Sequence, residues 1–404
     1  MEYKGKNSAL FMLYAICIGV ITGLIIWCFL KIMNISIEFV WETFPNIIQI
    51  PFYTITVCTL GGLIIGLWKK KTGDYPEELE EVIGKVKQDG RYSYNNIGLI
   101  SVSAILPLIF GGSIGPEAGL TGVIAGLCTW IGDKFKYLFK EMKELTQIGI
   151  SATLGTVFNS PMFGFIEPIE SEKEETTLPK TSKIILYFLA IFGAIGIFIL
   201  LNHLFKGGSG VASFEGLEIG VKEWIWLLPF SLVGMIAGYF YYFAYKIVTK
   251  MSEPIKNHII IKCTLGGLLL GIAGTFLPYT MFSGEHQMVE IMNRWKEIGA
   301  IILIVTAIIK LIITNTCIIM GFKGGHFFPC IFSGVCIGYA FAILTGVNSV
   351  FSVVVITTSL MSALLRKPFA TVLLLMICFP LSAIPIMLLA SVIGTSIKIP
   401  KVLK

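Results

Sequence analysis

A chain of 404 residues that is 55% hydrophobic and only 14% charged, with a mean hydropathy of +0.82, holds more apolar surface than a soluble core of that size can bury. That balance excludes an ordinary soluble enzyme and points to lipid as the solvent of the outer surface. The formal net charge of +6 is modest, and no nucleic-acid partner is expected from it.

The first uncharged run, 9–30, is too long for a signal-peptide core and has no small-residue cleavage site behind it, so it reads as a retained span. Further runs at 51–68, 184–201, 224–245, 259–278 and 368–393 can each cross a bilayer core, which takes about 20 helical residues. Lys69, Lys70 and Lys71 close the second run, and Lys134, Lys136, Lys140 and Lys143 form another basic cluster. Both clusters are expected to face the cytoplasm, which places the amino terminus there too. Nine cysteines are scattered through apolar stretches and read as small buried hydrophobes. The four histidines lie far apart, so no metal site and no cofactor are expected.

The segment Cys58-Thr-Leu-Gly-Gly-Leu-Ile-Ile-Gly-Leu67 returns as Cys263-Thr-Leu-Gly-Gly-Leu-Leu-Leu-Gly-Ile272, about half a chain later. The pair Gly19 and Gly23 likewise has a counterpart in Gly234 and Gly238. Small residues four apart also occur in any helix-packing seam, but seven identities in ten positions favour a duplication. The expected organisation is one transmembrane domain over 1–404, with a first repeat at 9–175 and a second at 180–397. The polar stretches at 72–96, 170–183 and 206–222 are connector length, and no soluble regulatory domain is expected.

Three apolar segments are interrupted. Residues 97–110 run into Gly111, Gly112, Ser113, Ile114, Gly115 and Pro116 before 120–131 resumes. Residues 155–158 lead into Asn159, Ser160 and Pro161, and 311–320 leads into Gly321, Phe322, Lys323, Gly324, Gly325, His326, Phe327, Phe328 and Pro329. Proline suits the first turn of a helix and glycine tolerates unusual backbone angles, so each point reads as one helix stopping and another starting inside the membrane. Broken helices persist there only where protein or a water-lined cavity covers them. A helix start carries about half a positive charge, worth roughly 0.3 to 2 kcal/mol to a nearby anion. Two or three such ends can replace an anion's hydration shell without a full charge to trap it. The carboxylates within apolar segments are few: Glu117, Glu167 and Glu170.

The first break, the Phe158-to-Pro161 step and the Gly324-to-Pro329 step resemble, in order and spacing, the pore segments of the CLC family of chloride channels and proton/chloride exchangers. The opening at Arg366, Lys367 and Pro368 is similar to a late helix of that family, and the likeness extends loosely over 9–397. The resemblance implies an all-α polytopic membrane protein with two inverted structural repeats and broken, re-entrant helices. It also implies a homodimer with one pore per subunit, both termini cytoplasmic, in the cell membrane. Carried over residue by residue, it implies an anion site at Gly73, Gly112, Ser113, Ile114, Gly115, Pro116, Gly324, Gly325, His326 and Phe327, with backbone N–H groups at His326 and Phe327 on the central anion.

The sequence departs from the family pattern in several places. Ile114 stands where the family usually carries a gating glutamate, and Gly73 takes the place of a serine. No pore tyrosine is found in 397–404, and Ser171 aligns with an inner glutamate, although Glu170 is adjacent. Glu117 is either a displaced gate or a first-turn carboxylate that complements a helix dipole. His326 either adds titratable charge beside the anion or fills space. Glu167 and Glu170 form a proton route or belong to the interface, and Lys323, Arg366 and Lys367 attract anions or reach towards headgroups. The pair Glu285 and His286 stands in a polar connector and reads as solvated, so a lipid-modifying enzyme is disfavoured. The leading expectation is passive or weakly proton-coupled chloride transport. The alternatives are a proton-coupled antiporter using Glu117 and a fluoride- or nitrate-selective transporter of the same fold.

Overall fold

The computed structural model describes residues 5–48, 50–134, 142–170, 180–205, 212–376 and 378–397. In chain order these form α1 (Gly5–Glu38), which passes through a π turn into α2 (Phe44–Ile47), then α3 (Tyr53–Thr72), α4 (Leu79–Asp89), α5 (Ile97–Ile109) and α6 (Glu117–Lys134). There follow α7 (Met142–Val157), α8 (Pro161–Glu170), α9 (Lys180–Leu204), α10 (Val221–Ser252), α11 (Ile259–Phe276) and α12 (Glu285–Ile298). The chain ends in α13 (Ala300–Met320), α14 (Phe327–Thr345), α15 (Ser349–Leu365), α16 (Pro368–Leu375) and α17 (Ile384–Ser396). Among the described residues the only β-type pairing is a bridge between Gly115 and Gly325.

Among the described residues six helical stretches are long and apolar enough to cross a membrane: Phe11–Ile47, Ile184–Leu204, Val221–Ile255, Ile259–Phe276, Ala300–Met320 and Phe327–Thr345. The exposed surface is apolar where that of a soluble protein would be polar. Along α10, Leu228, Leu232, Ile236, Phe243 and Ile247 are exposed, whereas Ser231 on the same helix is buried. Such a surface is stable against hydrocarbon, where the hydroxyls and not the alkyl chains must be hidden.

The chain divides into two compact units. The first comprises Met1–Ser36, Tyr75–Ile105 and Pro116–Ser209. In it Gly19 and Gly23 of α1 lie so close to α9 that a Cβ on either would run into the carbonyl of Ala190 or Ala194. Ile124 and Cys128 of α6, Ile148 and Ala152 of α7 and Tyr187 of α9 fill its interior. Asn159, in a left-handed conformation, ends the turn after α7, and α8 starts at Pro161.

The second unit comprises Ile37–Asp74, Leu106–Gly115 and Gly210–Lys404. Its centre is a reciprocal seam between the duplicated segments. Gly62 of α3 abuts the carbonyl of Cys263, and Gly267 of α11 abuts the carbonyl of Cys58. One turn on, Gly66 meets the backbone of Ile260, and Gly271 meets that of Ile55. Each contact has its partner at the duplicated position, so the recurrence in sequence corresponds to a local two-fold relation in space. The Gly234 and Gly238 pair of α10 packs in a similar way on α15, whose residues 350–364 are all buried. Two of its hydroxyls bond to the backbone of neighbouring helices: Ser359 Oγ donates to the Ser231 carbonyl at 2.5 Å and Ser362 Oγ to that of Ser391 at 2.6 Å.

Several boundaries differ from the sequence expectation. The run 368–393 is not one span: it holds α16, a turn through Phe379 and Pro380, and then α17. The segment read as starting at 311 belongs to the full-length α13, because Lys310 interrupts the apolar run without interrupting the helix. The connector 72–96 contains α4, and the stretch after Gly284 forms α12, on which Glu285 is half-buried, its carboxyl pushed up to about 7, and His286 is exposed. Seven of the nine cysteines are buried, while Cys17 and Cys28 on α1 are exposed.

Lys310 shows how a buried charge is accommodated. Its Nζ donates to the carbonyls of Tyr279, Met281 and Phe282, each at 3.0 Å, and sits 4.7 Å from the Phe332 ring centroid. The three carbonyls saturate the ammonium, so it pins the turn between α11 and α12 onto α13. Replacing Lys310 with Met removes the donor to all three, and the expected loss of stability is about 2–4 kcal/mol. The thermal unfolding midpoint of the purified protein in detergent checks this; a midpoint equal to that of the unaltered chain would mean the turn holds without the ammonium.

Candidate functional site

The two glycine-rich breaks of the second unit are built alike. At the end of α5, Gly111 adopts a φ of +80°, and the N–H of Gly112 turns back to the Pro107 carbonyl at 2.9 Å. At the end of α13, Gly321 adopts a φ of +107°, and the N–H of Phe322 turns back to the Cys317 carbonyl at 2.8 Å. A side chain is disfavoured at both positive φ values, which is why glycine stands there. Three residues further on, the two strands meet. Gly115 donates to the Gly325 carbonyl at 2.7 Å and Gly325 donates to that of Gly115 at 2.8 Å. Two residues after each bridged glycine a helix begins, α6 at Glu117 and α14 at Phe327.

Side chains complete the junction. Ser113 and Thr314 are fully buried and share a hydroxyl hydrogen bond of 3.1 Å. Ile114 has no solvent exposure and lies against Gly324, where an added Cβ would strike the Ile114 side chain. The His326 ring stacks obliquely on Tyr241 at 5.5 Å and meets Phe327 edge-on at 4.9 Å. The first bond of α14 runs from the Cys330 N–H to the His326 carbonyl at 3.1 Å. The N–H groups ahead of it fall in the first turn, where a helix carries its partial positive charge.

Gly73 caps α3 in the same unit with a φ of +100°, its N–H bonded to the Lys69 carbonyl at 2.9 Å. The next residue, Asp74, reaches the second break: Lys323 Nζ lies 2.8 Å from its Oδ2, and Lys69 Nζ lies 2.7 Å from its Oδ1. Burial raises the carboxyl, but the two ammonium groups outweigh it and hold Asp74 down at about 2.

The structure thus gathers Ser113, Ile114 and Gly115 with Gly324 and Gly325, sets His326 and Phe327 directly after them, and ties the Gly73 loop to Lys323. Pro116 and Glu117 open α6 in the first unit, where Glu117 is 1% exposed and its carbonyl accepts the Thr121 hydroxyl at 2.8 Å. Glu167 and Glu170 belong to α8, but their side chains lie outside the described residues, as do Ser171 and positions 398–404. Arg366 is engaged at a helix end, its Nη1 donating to the Ile397 carbonyl at 2.8 Å, and Lys367 precedes α16.

Three groups were not singled out by sequence: Thr314, Asp74 and Lys310. A single lysine inside an otherwise apolar helix is a signal the sequence did carry for Lys310. Nothing local marks Thr314, whose partner Ser113 is remote in the chain, or the remote Lys323 that joins the nearby Lys69 on Asp74.

The family model described as voltage gated chloride channel matches residues 61–398. The protein YfeO of Escherichia coli O17:K52:H18, named for ion transport, is 25% identical over 347 residues, covering 83% of this chain and 79% of its own. A similarly named protein of Escherichia fergusonii matches to the same extent. Among solved structures, a CLC-type fluoride/proton antiporter superposes with a TM-score of 0.80 at 18% identity, covering 99% of this chain and 98% of its own. A slow cyanobacterial chloride/proton antiporter gives a TM-score of 0.80 at 18% identity, over 96% and 93%. With its helical fold, the six apolar spans among its described residues and its paired breaks, the chain belongs to the CLC, or voltage-gated chloride channel, family and is a multi-pass anion-transport protein rather than an enzyme.

Proposed function

We propose that the protein carries chloride or a similar small anion across the cell membrane along a route lined by helix N-termini, in a channel-like or weakly proton-coupled manner. The observation that carries this reading is the junction at Gly115 and Gly325, which brings the two glycine-rich breaks together around backbone and hydroxyl groups, with the apolar Ile114 fully buried beside it; the family resemblance sets Ile114 where a gating glutamate would stand. Helix starts offer partial positive charge, which binds an anion without trapping it. Strict coupling of protons to anions needs a titratable group on the shared path, and Ile114 cannot titrate. In this reading the anion contacts come from Gly73, Gly112 to Pro116 and Gly324 to Phe327, and the protein works as a homodimer with one route per subunit and both termini cytoplasmic.

A second reading, proton-coupled exchange, is favoured by Glu117: a buried carboxylate at the first position of α6 can gain and lose a proton as it approaches and leaves an anion site. The solved relatives named as fluoride/proton and chloride/proton antiporters support it, and the first of them brings fluoride into consideration as cargo.

Purified protein in chloride-loaded vesicles, with anion and proton fluxes recorded together, separates the two. The expected result is chloride release without a fixed proton ratio, little changed in rate or pH dependence by Glu117→Gln. A constant ratio that Glu117→Gln abolishes would establish exchange instead. Competition by fluoride and nitrate in the same vesicles ranks the anions. A further expectation concerns the junction itself. Gly324→Ala should lower stability by about 1–3 kcal/mol and reduce flux, since the new methyl meets Ile114. Adding Ile114→Ala should recover part of the loss, and strictly additive effects would mean the two positions do not touch.

A further inference from the structure

The cluster of Lys69, Asp74 and Lys323 is not accounted for by the route described above. Both carboxylate oxygens of Asp74 are used, one by each ammonium. Lys69 comes from the last turn of α3, and its stem passes beside Gly321 at the end of α13. Lys323 stands immediately before Gly324. The cluster therefore adjoins both the Gly73 cap and the segment that leads into α14.

A simple staple between two loops needs one lysine for one carboxylate, whereas here two cations share a single anion and leave one positive charge over. The order of exposure is also informative. The Lys69 side chain is 2% exposed and that of Lys323 19%, while the Asp74 side chain is 63% exposed. The carboxylate thus stands between water and the ammonium groups, and an anion arriving from solvent meets negative charge first.

We propose that Asp74 is an electrostatic governor of anion entry: its carboxylate covers a two-lysine anion-attracting site beside the second break and so limits how strongly that mouth gathers small anions. This rests on the anion-transport reading above. Exposed charges at a mouth act on arrival more than on the bound state, and salt screens them over roughly 8–10 Å. Removing the Asp74 charge should therefore speed transport chiefly where anions are scarce and ionic strength is low.

The test uses the intact protein in vesicles and radiolabelled chloride at concentrations below saturation. Asp74→Asn, close in shape but uncharged, is expected to raise chloride flux about threefold to tenfold at low ionic strength, with the gain fading in high concentrations of an impermeant salt. Lys323→Gln leaves Asp74 paired with Lys69, so its folding is less exposed to failure, and it is expected to lower flux by a similar factor. The double variant keeps the net charge of the cluster and should return close to the original rate. If both single variants lower flux alike, without salt dependence, and the double variant is no better, the cluster is a staple and the proposal fails. If Asp74→Asn does not fold, an unchanged flux in Lys323→Gln overturns it. Absence of chloride flux in the unaltered protein would instead remove the transport reading on which the proposal stands.

Discussion

Everything in the second unit depends on how two interrupted backbones satisfy each other. Inside a membrane an unbonded N–H or carbonyl costs several kcal/mol, so a helix cannot simply stop there. At Gly115 and Gly325 each strand provides both the donor and the acceptor that the other needs. That exchange requires close backbone approach, which glycine permits. The preceding glycines, Gly111 and Gly321, turn each chain out of its helix at positive φ, and the return bonds of Gly112 and Phe322 use up carbonyls at the helix ends. The junction is therefore a consequence of bonding requirements before it is a site for anything else.

The seam between α3 and α11 extends the same logic to packing. Lipid tails are as apolar as leucine, so helices gain nothing by hiding leucine from lipid and must instead approach closely enough for dispersion to act over many atoms. Gly62, Gly66, Gly267 and Gly271 let the backbones of the duplicated segments touch at reciprocal points. Because α3 ends in the Gly73 cap, a seam of this rigidity fixes the height of Gly73, Asp74 and Lys69 within the unit.

The breaks were legible in the sequence because glycine and proline act locally: a left-handed turn followed by a helix start leaves its mark within six residues. The duplication was legible for a related reason, since close approach tolerates only small residues and the same spacing had to persist in both copies. Other features were not. Lys310 divided an apolar run and hid the first half of α13, because sequence does not show the three carbonyls that satisfy its ammonium. The run 368–393 concealed the turn at Pro380, since uniform apolarity masks a backbone reversal that lies in protein. The ion cluster at Asp74 adds Lys323, remote in the chain, to the nearby Lys69, and no local pattern announces the remote partner.

The placement of charge follows a gradient. At the junction itself the polar groups are hydroxyls and backbone amides, Ser113 and Thr314 with Gly115 and Gly325, and the side chain between the strands is the apolar Ile114. Full charges stand one step away. Lys323 and Lys69 are paired to an exposed carboxylate, and Lys310 is saturated by carbonyls. A full positive charge within the break would bind a halide too tightly for release. In the proposed reading, partial charges at the junction and partly compensated full charges beside it avoid that trap. On the same reading, substitutions in the charged cluster act on how often an anion arrives, and substitutions at the glycine junction on whether it can pass.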